Sequence, residues 1–181
     1  MREATQHHSR SKTYSGRFLR PHKPWLTDLI GQLGIKSALD YGCGKGAQYS
    51  WVDPLDGLTL EQAWGFEVAK FDPCWPEFAE LPQGQFDLVI CTHTLGSIPT
   101  RDLPWVIERL HRMTRKAVFI AEKIGPIKKG VHGDRKGFVN DWGVIDWLDV
   151  IAPHVREGVE THLSVVYKSP HGKFTGRFLL Q

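Results

Sequence analysis

The segment Ala38-Leu39-Asp40-Tyr41-Gly42-Cys43-Gly44-Lys45-Gly46 follows Ile35, Lys36 and Ser37 and turns a short apolar run, ending in an acid, into alternating glycines. This order reads as strand, tight turn, then helix. A GxGxG turn that leaves a buried strand brings backbone close to a ligand where a side chain would collide, and it offers N–H groups near a helix N-terminus. The competing reading is a glycine turn with no ligand. Asp40 favours the first, because a carboxylate there can receive the amino group of a cationic ligand in place of a pyrophosphate.

Working outward, Trp25, Leu26, Leu29, Ile30 and Leu33 recur at helical spacing after Pro24, and Gly34 stops the pattern. Beyond the loop, Phe66 to Phe71, Phe86 to Cys91 and Ala117 to Ala121 read as short strands, and Leu103 to Met113 carries one apolar helical face. Trp142, Ile145, Asp146 and Leu148 suit another helix. Thr161 to Lys168 and Lys173 to Leu180 then read as strands joined by Ser169-Pro170-His171-Gly172. Strands alternating with helices imply an α/β fold with a mostly parallel sheet, helices on both faces and a closing antiparallel hairpin.

The 181 residues suit a single domain at 21–181, preceded by a flexible basic arm at 1–20. Residues 1–23 hold Arg2, Arg10, Lys12, Arg17, Arg20 and Lys23 against Glu3, so the net charge of +3 describes the arm and not the body. Cys43, Cys74 and Cys91 form no CxxC pair, which speaks against a disulfide framework or a zinc knuckle and for a reducing, cytoplasmic setting. His7-His8 has no identifiable partner, so no metal site is expected. No apolar run approaches the ~20 residues of a membrane span, and no membrane partner is expected.

The loop with its leading acid resembles the first motif of the class I S-adenosylmethionine (SAM)-dependent methyltransferases, a hydrophobic-Leu-Asp-x-Gly-x-Gly-x-Gly stretch. It is no P-loop, because GxxxxGK[ST] is missing, and Ala47 breaks the GxGxxG dinucleotide fingerprint. The looser GxGxxA form keeps an NAD- or nucleotide-dependent enzyme as an alternative. The resemblance extends over about Pro24 to Leu180. Phe71-Asp72-Pro73, Phe78-Ala79-Glu80-Leu81-Pro82, Phe86 to Thr92, Ile98-Pro99 and Pro104-Trp105-Val106 look like small methyltransferases of bacterial and phage genomes.

The resemblance implies a Rossmann-like methyltransferase fold that binds SAM and releases S-adenosylhomocysteine (SAH). It implies that Asp40, Tyr41, Gly42, Cys43, Gly44 and Gly46 cradle the cofactor, with Thr92 and His93 at a second edge. An acid ending the second strand would bind the ribose hydroxyls. Glu67 and Asp72 compete, and Asp72 is favoured because it ends the apolar run. Pro73 and then Cys74 or Trp75 would lie near the adenine, with Glu80-Leu81 at its edge.

After the next strand, relatives commonly show Asp-x-Leu-Glu-His, whereas this chain has His93-Thr94-Leu95-Gly96-Ser97. Both acids are missing. His93 is the candidate catalytic base, since imidazole titrates near neutral pH; packing beneath the cofactor is the alternative. The motifs of amino-methylating DNA enzymes, C5-cytosine enzymes and ribose 2′-O enzymes are also missing, so DNA is disfavoured as a partner while RNA-base methylation is left open. Lys123, Lys128, Lys129, Arg135 and Lys136, with the arm, would flank an anionic substrate, or else form solvated loops. His132-Gly133 and Asn140-Asp141-Trp142 are secondary substrate-pocket candidates. The expected function is methyl transfer to a small-molecule or anionic acceptor; a SAM- or SAH-binding protein without turnover is the other alternative.

Overall fold

The computed structural model describes residues 15–124, 142–169 and 172–181. Helix α1 (Lys23–Leu33) begins with Pro24 in its first turn and ends at Gly34, whose φ of 56° is the left-handed cap that glycine adopts without a Cβ penalty. Strand β1 (Ala38–Tyr41) follows, then α2 (Leu60–Trp64), β2 (Val68–Phe71), β3 (Phe86–Thr92), α3 (Leu103–Arg112), β4 (Thr114–Ile124), α4 (Val144–Ile151), β5 (Glu160–Ser169) and β6 (Gly172–Leu180).

The strands form one sheet in the order β2-β1-β3-β4-β5-β6. All neighbours are parallel except β5 and β6, which pair antiparallel. The expected parallel sheet with a terminal hairpin is therefore present; Pro170 and His171 of the anticipated turn lie outside the described residues. Period-two alternation splits the core into two layers. Leu39, Tyr41, Val89, Cys91, Val118 and Ile120 face α3 and α4, while Ala38, Val68, Leu88, Ile90, Ala117 and Phe119 face α1 and α2.

In two places the chain departs from its sequence reading. No helix follows the glycine loop directly, and residues 46–59 form turns before the short α2. Gln48 and Tyr49 bend inward to the Asp40 carboxylate, and Lys23 Nζ pins Asp53 and Asp56 at 3.0 and 2.7 Å, so this stretch is tied to the body in a non-helical path. Pro54 and Gly57 agree with that path. The second departure concerns the arm, because residues 15–20 pack on the glycine loop. Ala47 and Gln48 donate their N–H groups to the carbonyls of Ser15 and Gly16 at 3.0 and 2.8 Å, and Leu19 is fully buried.

The sheet order places β2 on one side of β1 and β3 on the other. The chain thus reverses its winding between β1 and β3, and a crevice opens at the carboxyl ends of these strands.

Candidate functional site

A cavity of about 800 Å³ occupies that crevice. Gly16 and Phe18 border it from the N-terminal strap, and Tyr41 to Gly44 come from the β1 turn. Phe71 to Cys74 follow β2, Thr92 to Thr94, Ser97 and Ile98 follow β3, and Asp102, Trp105, Val106 and Arg109 belong to α3 and its start. Its size falls in the range of small-molecule and cofactor sites.

Close backbone approach shapes the floor. Gly42 has a φ of 86°, and a Cβ there would overlap the Thr94 hydroxyl and lie 2.8 Å from Thr94 Cβ. Gly42 and Cys43 both donate their N–H groups to the Phe71 carbonyl, at 2.7 and 3.1 Å, which ties the β1 turn to the end of β2. Asp72 completes the tie: its Oδ2 accepts from Gly44 N at 2.9 Å and its Oδ1 from Cys74 N at 2.9 Å. A carboxylate so held keeps lone pairs for further donors in the cavity. Glu67, its rival in the sequence, is exposed and precedes β2.

Asp40 lies beneath this floor, wholly buried and not among the lining residues. Its Oδ2 accepts from Gln48 Nε2 at 2.6 Å and from Tyr49 Oη at 2.8 Å, while its Oδ1 has no partner among the described residues. Burial raises its pKa to about 7, against the opposing hydrogen bonds from Tyr49 and Gln48. Burial also raises the Cys43 thiol, which is therefore no thiolate at neutral pH.

The post-β3 turn forms the opposite rim. His93 adopts a φ of 54°, donates its backbone N–H to Ala121 O at 2.7 Å, and packs its ring 4.4 Å from that of Phe18. A left-handed conformation at a non-glycine residue costs about 1–3 kcal/mol and is found where surrounding structure imposes it. Here Glu122, buried at the end of β4, accepts from Leu95 N at 2.8 Å and holds the turn from below. Burial pushes Glu122 up to about 8, opposed by the N–H groups of Leu95, Gly96 and Thr94.

These two acids give a signed pH dependence. Each holds its proton in the folded state where the unfolded chain, with ordinary values of 3.8 and 4.5, has released it. Their contribution is complete below those values and is lost as pH rises through about 7 and about 8. The melting temperature is expected to fall steadily between about pH 5 and about pH 8.5, and Glu122→Gln to flatten the upper part of that fall. Melts recorded across this range check it; a flat or rising profile contradicts it.

Of the residues anticipated from sequence, Tyr41, Gly42, Cys43, Gly44, Asp72, Pro73, Cys74, Thr92 and His93 line the cavity. Asp40, Gly46, Trp75, Glu80 and Leu81 do not. Gly46 sits against the Phe78 ring, Trp75 lies under the Lys45 ammonium at 5.0 Å, Glu80 is exposed, and Leu81 packs into the α3-side core. Lys128, Lys129, Arg135, Lys136, His132-Gly133, Asn140-Asp141 and His7-His8 fall outside the described residues. Gly16, Phe18, Gln48, Asp102, Trp105 and Arg109 line the cavity without having been anticipated. Trp105 stood only within the Pro104-Trp105-Val106 resemblance, and the others carried no signal in the apolar pattern. Among the described residues no group of three or more His, Cys, Asp or Glu is placed to hold a metal ion, and no helix is long and apolar enough to cross a membrane.

A family model described as a methyltransferase domain matches residues 16–122, which take in the strap, the glycine loop, Asp72, the post-β3 turn and Glu122. No curated protein and no solved structure matches the chain. The match spans more than half of the chain, so the chain belongs to the methyltransferase-domain family, within the class I SAM-dependent methyltransferase superfamily.

Proposed function

We propose that this member of the methyltransferase-domain family uses SAM as methyl donor and transfers the methyl group to a small-molecule or anionic acceptor. The observation that carries the reading is the β1 turn, pressed so close to Thr94 that Gly42 has no room for a side chain, and tied through Gly44 to the cavity-lining carboxylate of Asp72. SAM supplies an electrophilic methyl on a sulfonium, so in-line placement of the acceptor provides much of the rate.

In this reading the Gly42–Gly44 backbone holds the amino-acid portion of the donor and Asp72 accepts from the ribose hydroxyls. Asp40, wholly buried beneath the floor, acts as a positioning group through its bonds from Gln48 and Tyr49. His93, on the rim beside Phe18, is the group suited to take a proton from the acceptor. Exposed Lys123 lies 5.3 Å from the Phe18 ring and adds positive charge near the same rim, which favours an anionic acceptor. The free cysteines suit a reducing compartment such as the cytoplasm.

The missing acids of the His93–Ser97 turn favour one second reading, a SAM-binding protein without turnover. Incubating the protein with methyl-labelled SAM and fractionated cell extract separates the two. Label is expected in the small-molecule fraction, with the rate reduced about tenfold or more by His93→Ala. Label in RNA alone would move the acceptor class, and SAH binding without transfer to any fraction would establish the second reading.

A further inference from the structure

Bracing Asp40 is only half of what the Gln48 side chain does. Gln48 lines the cavity although only 1% of it is exposed. Its Nε2 donates to Asp40 Oδ2 at 2.6 Å, and its Oε1 accepts from Leu19 N at 3.1 Å. Its backbone N–H donates to Gly16 O at 2.8 Å, so one residue grips the N-terminal strap at Gly16 and again at Leu19. The Leu19 N–H needs an acceptor and the Asp40 oxygen takes a donor; a glutamine amide offers both without a charge.

The strap meets the glycine loop closely. Gly16 has a φ of 69°, and a Cβ there would overlap the Cys43 carbonyl oxygen and lie 2.8 Å from Gly46 N. Arg20 Nη2 donates to Ala47 O at 2.9 Å, and Leu19 is buried in the α1-side core. Gly16 and Phe18 line the cavity, and the Phe18 ring packs against His93, so a ligand that fills the cavity abuts the strap. We infer that Gln48 is the positioning residue that docks the strap as a wall of the ligand site, and that docked strap and bound ligand stabilise each other. Without the amide, the buried Leu19 N–H loses its acceptor, which favours the undocked strap, where water supplies one. Because the ligand favours the docked state, the coupling is reciprocal.

The inference rests on the SAM reading for the identity of the ligand, so strap and ligand are measured separately. Trypsin cleavage between Arg17 and Phe18 reports undocking: Arg17 is exposed, but its backbone neighbours are bonded to Gln48, and a protease needs a free stretch of chain. Arg20 and Lys23 precede prolines and are not trypsin sites. Calorimetry with SAH reports the ligand. In wild type, saturating SAH is expected to slow the cleavage by about tenfold. Gln48→Leu, which keeps the bulk and removes both side-chain bonds, should speed cleavage of the free protein by about tenfold or more and weaken SAH by about tenfold. Gly16→Ala should do the same from the strap side, with Gln48 and Asp40 intact, and the double variant should add little, since both changes undo one joint. Tyr49→Phe removes the other bond to Asp40 Oδ2 and keeps the ring, so it should lower the melting temperature without speeding cleavage.

The proposal is overturned if folded Gln48→Leu keeps the wild-type cleavage rate and SAH affinity, or if Tyr49→Phe speeds cleavage equally, which would make Gln48 a prop of the floor alone. SAH binding that leaves wild-type cleavage unchanged overturns the coupling, and Gly16→Ala decides the same point if Gln48→Leu does not fold. Failure of wild type to bind SAH removes the SAM reading, while the cleavage rates of the free variants still decide whether Gln48 docks the strap.

Discussion

Replacing Gly42 with alanine is expected to abolish SAH binding and to lower the melting temperature by about 10 °C. The added methyl overlaps the Thr94 hydroxyl and lies 2.5 Å from Thr94 Cγ2. Neither side can yield easily. The Gly42 N–H is fixed to Phe71 O at 2.7 Å, and the Thr94 hydroxyl donates to Gly42 O at 3.3 Å. Overpacking costs about 1–3 kcal/mol and a left-handed alanine about 1–2 kcal/mol more. At ~2–4 °C per kcal/mol for a chain of this size, the sum gives the expected shift. Gly57→Ala is the control, because Gly57 has a φ of 72° but nothing within 4 Å of its added Cβ. It should show only the smaller backbone cost and retain SAH affinity. Equal losses in the two variants would mean that the Gly42 contact has no special role.

Asp72→Ala has the second-largest expected effect, a loss of SAH affinity on the order of 100-fold with a moderate loss of stability. The substitution removes the acceptor for Gly44 N and Cys74 N, each at 2.9 Å, so the β1 turn and the segment after β2 lose their bridge. It also removes the carboxylate that faces the cavity. Charge-assisted hydrogen bonds are worth about 1.5–3 kcal/mol each, although water in the cavity replaces part of that. Asp72→Asn separates the two roles. One amide oxygen still accepts from a backbone N–H while the charge is gone, so stability should recover more than affinity. Calorimetry with SAH and melts of both variants check this; wild-type affinity in Asp72→Ala would remove Asp72 from the cofactor site.

The elements that patterning reveals are those whose local and tertiary preferences agree. Pro24 and Gly34 bound α1, the apolar face of Leu103, Val106, Ile107 and Leu110 is buried as its periodicity implies, and each apolar run lies within or beside a strand. The missing helix after the glycine loop is the opposite case. Turn composition there competes with a helix, and long-range ties from Asp40 and Lys23 decide the outcome.

The site was legible where chemistry is local to a motif, as in Gly42, Gly44 and Asp72, which share a hydrogen-bond network. Glu122 was hidden because the apolar run of β4 stops one residue before it, at Ala121, although the strand continues to Ile124. Phe18 was hidden because a polar, basic segment shows no periodicity, and its packing against His93 depends on backbone bonds to residues about 30 positions away. Asp102, Trp105 and Arg109 lie beside the buried stripe of α3, where composition alone suggests solvent.

The most direct test of the central claim, that the crevice between β1 and β3 is a SAM site, is calorimetric titration of the wild-type protein with SAH, with NAD as the control. The expected result is micromolar binding of one SAH per chain and no heat from NAD. Binding of NAD without SAH, or of neither ligand, would contradict the claim.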